Sequence, residues 1–478
     1  MRAFLALILI VGSLLILERA RNGVEIRSFE VGRTPVTAFV RAGADGPVVV
    51  IAHGFAGSRP MMQGYALPLA RAGYRVFAFD FLGHGRNPVP MSGDLSALEG
   101  TTRALVEQTG AVIDAVAEGD RPVALLGHSM ATDVLVRVAG ERADIGPVVL
   151  VSGFSRAIDS THPETLLMVT GAWEPGLREF ALEAARMVAP DAAEGETVTE
   201  GAVTRRAVIA PRVEHVSVLH SQAGRAAALD WLDRAYGRGS EVAILPTGWA
   251  VLGLLGGLVL LFTSLARWLP WRETAARPPG WRRVAVAALL PAVATPLVAV
   301  PLAPRWLPVL VADYLALHLA LFGAIQLALI GLWRLPVGRV SGAALAALLG
   351  WCALFGLALD RYAANFWPVA DRIWIIAAVA VGALPFMVAD AILVRGAPLG
   401  RRLALRGGFL ASLGLAVALD PEALFFLAMI APVVVLFYLT FGTMGRAAAR
   451  RSGPLAPGLA LGLVLAWTLG VSFPLFRG

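Results

Sequence analysis

A chain of 478 residues that is 57% hydrophobic, with a mean hydropathy of +0.69, is too apolar to be a single soluble domain. The formal charge of +7 would suit a nucleic-acid partner, but it is unevenly divided. Residues 18–242 hold 22 arginines against 27 acids, whereas residues 243–478 hold 18 arginines against seven acids. The soluble-looking part is thus mildly acidic and carries no basic patch, which excludes nucleic acid and assigns the positive charge to membrane topology. All 41 basic residues are arginine, the mark of GC-rich coding and a bacterial source. The single cysteine, Cys352, excludes a disulfide framework within the chain.

Residues 1–17 are Arg2 followed by an unbroken apolar stretch, with no A-x-A-like site after it. They read as an uncleaved transmembrane anchor, with a cleaved signal as the alternative, and either would export the domain after it. From Val24 short apolar runs alternate with helical patterns. Val24 to Val31 and Val36 to Arg41 read as paired edge strands, and Pro47 to Ala52 and Tyr74 to Asp80 as buried strands. Leu95 to Ala117 reads as a helix, Val123 to Leu126 and Pro147 to Val151 as further strands. Strands at Glu164 to Thr170 and Arg206 to Ala210, with helices at Arg178 to Val188 and Gln222 to Tyr236, complete the series. Strands alternating with helices predict a mostly parallel sheet with helices on both faces over residues 18–242. About a dozen residues separate the strand ending near Ser152 from the next, too few for a lid domain.

After a polar linker at 237–241 the chain becomes eight apolar runs, near 243–266, 284–304, 306–333, 340–359, 373–394, 407–419, 421–445 and 455–475. A span needs about 20 apolar residues, so residues 243–478 read as an all-α polytopic transmembrane domain of about eight helices, with 407–419 the weakest. Fourteen arginines fall in alternate connections: Arg267, Arg272, Arg277, Arg282 and Arg283; Arg334 and Arg339; Arg395, Arg401, Arg402 and Arg406; Arg446, Arg450 and Arg451. Only Arg305, Arg361, Arg372 and Arg477 lie on the other side. The positive-inside rule then places residues 18–242 outside the cytoplasm, on a bacterial inner membrane. Trp249, Trp268, Trp271, Trp281, Trp306, Trp333, Trp367 and Trp374 fall near span ends, as interface anchors do.

The chemistry centres on Gly127-His128-Ser129-Met130-Ala131, between a strand and a helix. A serine at such a turn is lifted out of the sheet, and the Met130 N–H faces a developing oxyanion. Ala131 stands where the pattern has glycine, a position that needs a small residue. The turn His53-Gly54-Phe55-Ala56-Gly57 can present the Phe55 N–H as a second donor, and His53, Gly54 and His128 would wall the site. Asp80-Phe-Leu-Gly-His-Gly-Arg86 makes a further tight turn beside it.

These three stretches, in this order, resemble the α/β-hydrolase superfamily over about residues 24–236. The resemblance implies a nucleophile–acid–histidine chain order. Ser129 is then the nucleophile, Glu174, three residues after Gly171, the acid, and His215 the base, with Asp159 and Glu164 competing for the acid and His220 for the base. Glutamate replaces the more usual aspartate, yet either can orient an imidazole. His84 and His162 remain loop residues. No metal site and no cofactor are expected, because no two His or Cys fall at ligand spacing.

In the membrane half Asp313, His318, Gln326 and Asp390 are ionisable or polar residues within apolar runs, open either to water at the interfaces or to an ion path. Gly253-x-x-x-Gly257 and Gly458-x-x-x-Gly462 permit close helix packing. The loop from Asp360 to Pro368 is placed to lie under the exported domain. The whole reads as a membrane-embedded serine hydrolase acting on a small-molecule ester, lipid or acyl substrate and touching membrane lipids. An aminopeptidase-like peptidase or an acyltransferase with the same triad is the alternative. A rival of another class is a transporter or sensor with a non-catalytic binding module, which would tolerate loss of Ser129.

Overall fold

The computed structural model describes residues 1–92, 98–271, 278–304, 306–309 and 311–476. Of the topology arginines, Arg272, Arg277, Arg305 and Arg477 lie outside the described residues, as do residues 95–97 of the first expected helix.

Helix α1 (Arg2–Arg21) is followed by β1 (Val24–Val31), β2 (Thr34–Arg41), β3 (Val48–Ala52), α2 (Gln63–Arg71), β4 (Arg75–Phe79), α3 (Arg103–Val116), β5 (Val123–His128) and α4 (Met130–Glu141). Then come β6 (Ile145–Val151), β7 (Thr165–Gly171), α5 (Pro175–Arg186), β8 (Thr197–Glu200), β9 (Val203–Ala210) and α6 (Gln222–Ala235). The strands form one sheet in the order β1-β2-β4-β3-β5-β6-β7-β9-β8. It is parallel from β4 through β9, with β1 and β2 antiparallel at one edge and β8 antiparallel at the other.

Every residue of β3 and β5 is buried, as central strands covered on both faces require. Helices α3, α4 and α5 cover one face and α2 and α6 the other, giving two apolar cores. Two elements go beyond the pattern read in the sequence. Helix α2 carries Pro68 in its middle and no side-chain cap, and all its residues but Arg71 are buried. Strand β8 is only four residues long and mostly exposed, so it shows no apolar alternation. The expected edge strand at Val36 to Arg41 lies one position in from the edge, because β4 pairs with its other side.

The second half continues as α7 (Thr247–Leu265), α8 (Trp281–Leu302), α9 (Ala312–Leu332), α10 (Gly342–Tyr362), α11 (Ala370–Leu393), α12 (Leu399–Leu419), the short α13 (Pro421–Leu424), α14 (Phe426–Ser452) and α15 (Leu455–Ser472). With α1, nine helices among the described residues are long and apolar enough to cross a membrane, and α12 has the lowest hydropathy. Trp249, Trp268, Trp271, Trp281, Trp306, Trp367 and Trp374 are all exposed. Both glycine pairs sit at close approaches. A Cβ on Gly253 or Gly257 would stand 2.5 Å from Ser13 Oγ or 2.8 Å from Ile10 Cγ1 of α1, and one on Gly458 or Gly462 would stand 2.7 or 2.8 Å from a backbone Cα of α11. Thus α1 packs along α7, and α15 along α11.

The four polar residues singled out in the bundle each make at least one hydrogen bond or ion pair. Asp313 accepts the Leu307 N–H at 2.8 Å, His318 bridges Tyr314 and Ser412 at 3.1 and 2.9 Å, Gln326 donates to Ala287 O at 3.0 Å, and Asp390 pairs with Arg406 at 2.9 Å.

The two halves are joined by named contacts. Arg86, in the turn after β4, pairs with Asp360 at 2.7 Å and donates to Asn365 at 3.0 Å, and Ser58 Oγ accepts the Asn365 N–H at 3.1 Å. Arg372 at the start of α11 donates to Gly83 O at 2.8 Å. Leu475 exchanges backbone bonds with Gly83 and Met91. At the other tether Glu18, still within α1, pairs with Arg361 at 2.8 Å.

Candidate active site

Strand β5 delivers the chain to Ser129 in a conformation that few non-glycine residues adopt, φ 53° and ψ −120°. Three bonds around the turn hold that strain: Ser129 N–H to Val151 O at 3.0 Å, Thr132 N–H to Ser129 O at 2.9 Å, and Thr132 Oγ1 to Ser129 O at 2.6 Å. The crossing of strand and helix here is close. A Cβ on Gly127 would stand 2.6 Å from Leu135 Cδ1 and 3.2 Å from Ala131 Cβ. The fully buried Ala131 would be crowded by any side chain at Gly127, and Leu135 more so. Gly54 is equally constrained, since its Cβ would stand 2.9 Å from both Ser129 Cβ and His128 Nδ1.

Glu174 follows β7 and His215 follows β9, so neighbouring parallel strands bring both to the same sheet edge as Ser129. His215 Nε2 lies 2.7 Å from Ser129 Oγ, and His215 Nδ1 lies 2.6 Å from Glu174 Oε1. With the Nδ1–H donated to the carboxylate, Nε2 is free to accept the serine proton. Glu174 Oε2 accepts the Ser152 hydroxyl at 2.6 Å and the Gly171 N–H at 2.7 Å. Burial pushes the Glu174 carboxyl up, but the hydrogen bonds from His215, Ser152 and Gly171 outweigh it and hold it below its ordinary value.

Ser152 is the member that sequence reasoning missed. It sits just past β6 with φ 47°, buried, and a serine after a strand has no distinctive spacing. His128 also does more than wall the site. Its Nε2–H donates to the His215 carbonyl at 2.7 Å and so fixes the loop that carries the base. Burial lowers its pKa to about 4, which keeps the ring neutral beside His215. His53 turns away from the serine, donating from Nδ1 to Gly54 O at 2.8 Å and accepting the Phe81 N–H at 3.1 Å. It shapes the turn that carries Phe55.

Among the described residues neither the Phe55 nor the Met130 N–H has a hydrogen-bond partner, leaving both donors for an oxyanion. The Phe55 ring lies 5.6 Å from His84 and 5.3 Å from Phe426, at the start of α14. The competing residues stand elsewhere. Asp159 accepts N–H groups within its own loop, Glu164 precedes β7 at the far end from Glu174, and the half-buried His220 packs against Gly248 at the start of α7. His162 packs against Gly140.

A family profile described as alpha/beta hydrolase fold matches residues 47–189. Protein phosphatase methylesterase 1 of Mus musculus is 32% identical over 146 residues, which is 30% of this chain and 35% of the relative. Its Bos taurus counterpart is 32% identical over 119 residues, 24% of this chain and 29% of the relative. The chain thus spans about a third of the length of the curated relatives it matches. Among solved structures, a CIB-like hydrolase from Thermoplasma acidophilum aligns at 16% identity over 44% of this chain and 98% of its own, with a TM-score of 0.35. Dienelactone hydrolase from Anabaena variabilis aligns at 19% identity over 45% and 99%, with a TM-score of 0.34. By this match over residues 47–189, the order of its sheet and the turn that carries Ser129, this part of the chain has the α/β-hydrolase fold.

Proposed function

We propose that this chain is a membrane-embedded serine hydrolase that cleaves carboxylic esters through an acyl-Ser129 intermediate. The observation that supports it is the unbroken relay from Glu174 through His215 to Ser129, at 2.6 and 2.7 Å. As Ser129 Oγ attacks the ester carbonyl, His215 Nε2 takes its proton and Glu174 stabilises the imidazolium. The tetrahedral oxyanion is received by the Phe55 and Met130 N–H groups. The imidazolium then protonates the departing alkoxide. Water attacks the acyl group, with His215 as base, and the carboxylic acid leaves as the proton returns to Ser129.

A substrate drawn from the lipid phase is favoured by what surrounds the relay. Trp173 beside Glu174, Val216 beside His215 and Phe154 close to Ser152 are exposed apolar residues, and Phe55 leans on the first residue of α14. The arginine-rich connections lie at the opposite ends of the helices. With those ends cytoplasmic, Ser129 faces the periplasm or exterior of a bacterial inner membrane. The test is turnover by the full chain in nanodiscs of p-nitrophenyl esters of increasing length, of a peptide p-nitroanilide, and of ester with added glycerol as acyl acceptor. Ester hydrolysis that rises with acyl length and vanishes in Ser129→Ala is expected. Turnover of the anilide alone would make it a peptidase, and turnover retained by Ser129→Ala would end the proposal.

A further inference from the structure

At the end of the bundle remote from Ser129, the last turn of α11, the first turns of α12 and α15 and the last turns of α14 line a partly open cavity of about 410 Å³. Five arginines line it, Arg395, Arg402, Arg406, Arg446 and Arg450, against one carboxylate, Asp390. That carboxylate is already engaged. Its two oxygens accept from Arg406 at 3.1 and 2.9 Å, and the same guanidinium lies 3.9 Å from the centroid of the Tyr438 ring. Arg446 has Thr443 Oγ1 at 2.8 Å, whereas Arg395 Nη2 and Arg402 Nε are buried with no hydrogen-bond partner among the described residues. Arg402 also stands in the first turn of α12, which has no side-chain cap on its N–H groups.

The positive-inside rule accounts for arginines at this level but not for their convergence. Arginines that serve only topology spread into water, because like charges a few ångströms apart repel and lose hydration. Here four guanidinium groups, three half-buried and that of Arg450 exposed, line one partly open cavity whose single carboxylate is already paired with Arg406. Planar, forked donors of this kind match the oxygens of a phosphate, which accepts several charge-assisted bonds at once. We propose that this cavity is a binding site for a phosphate group, either the headgroup of an anionic lipid in the cytoplasmic leaflet or a soluble phosphate. The site is independent of the chemistry at Ser129.

The test uses the full chain in phosphatidylcholine nanodiscs and reads its thermal unfolding midpoint. One arm replaces part of the lipid with phosphatidylglycerol, and the other adds inorganic phosphate to pure phosphatidylcholine. The cavity variant is Arg402→Gln/Arg446→Gln, which leaves the Arg406–Asp390 pair in place. The control is Arg334→Gln/Arg339→Gln, which removes the same charge from two exposed arginines outside the cavity. Wild type and control should rise in midpoint in at least one arm, and that arm names the source of the phosphate. The cavity variant should bind about 100-fold more weakly, about tenfold for each guanidinium removed. Arg402→Lys/Arg446→Lys, which keeps the charge and loses the fork, should fall between. Native mass spectrometry of wild type gives a reading that does not depend on any variant folding, with a phosphate-bearing ligand retained in preference to phosphatidylcholine. No rise in either arm, or an equal loss in the control, overturns the proposal.

Discussion

Replacing Glu174 by glutamine keeps the shape of the acid and inverts its hydrogen bonding. Glu174 Oε2 serves two donors, Ser152 and the Gly171 N–H, while Oε1 serves only His215. A glutamine has one acceptor oxygen, and the position with two donors claims it. The amide NH2 then faces His215 Nδ1, which must become the acceptor, so the ring proton moves to Nε2 and the base that should accept the Ser129 proton is blocked. The lost charge adds to this. Unit charges about 4 Å apart attract by about 4 kcal/mol at an effective dielectric of about 20. The His215 side chain is 42% exposed, so roughly half of that is screened by solvent. With about 2 kcal/mol for the lost bond to a charged group, the transition state rises by about 4 kcal/mol. That is about a 10³-fold fall in kcat. The assay is hydrolysis of a p-nitrophenyl ester by the variant in nanodiscs, with the unfolding midpoint as control. A folded Glu174→Gln enzyme within about tenfold of wild type would refute the assigned tautomer and with it the role of Glu174.

Gly54→Ala would drive a methyl into Ser129 Cβ and His128 Nδ1, each 2.9 Å from it, so esterase activity should fall at least about 100-fold. Circular dichroism should find the sheet intact. Ser152→Ala removes one of the donors to Glu174 and should lower kcat about tenfold at unchanged KM, read from the same ester kinetics. His128 titrates near 4 in the fold against its ordinary 6.5, so the unfolded chain takes up a proton that the folded chain refuses between those values. Stability from this residue is therefore complete above pH 6.5 and is lost as pH falls toward 4, by about 3 kcal/mol. The loss should show as a falling unfolding midpoint, with a shallower slope in His128→Gln.

How much could be read in the sequence depended on how local the physics was. The turn at Ser129 and the buried strands before and after it are written in contiguous residues, whereas Glu174, three residues after Gly171, was picked out only by the resemblance. Choosing His215 over His220 rested on its coming first after the last strand, in the loop where the resemblance places the base. Ser152 was hidden because its role rests on a positive φ and on a partner 22 residues away. Helix α2 was hidden by its central proline, and β8 by its brevity and exposure. Contacts such as Phe55 with Phe426, or Arg86 with Asp360, join residues hundreds of positions apart and leave no trace in composition. The arginines near the helix ends were legible as a topology signal. Their convergence on one cavity is a product of how α11, α12, α14 and α15 pack.

The most direct test of an activated Ser129 is fluorophosphonate labelling of membranes carrying the full chain, with the adduct located by peptide mass spectrometry. A single adduct on Ser129, absent from Ser129→Ala and strongly reduced in His215→Ala, is the predicted result. Folded wild-type protein that takes no label, or that is labelled on another residue, would contradict the account.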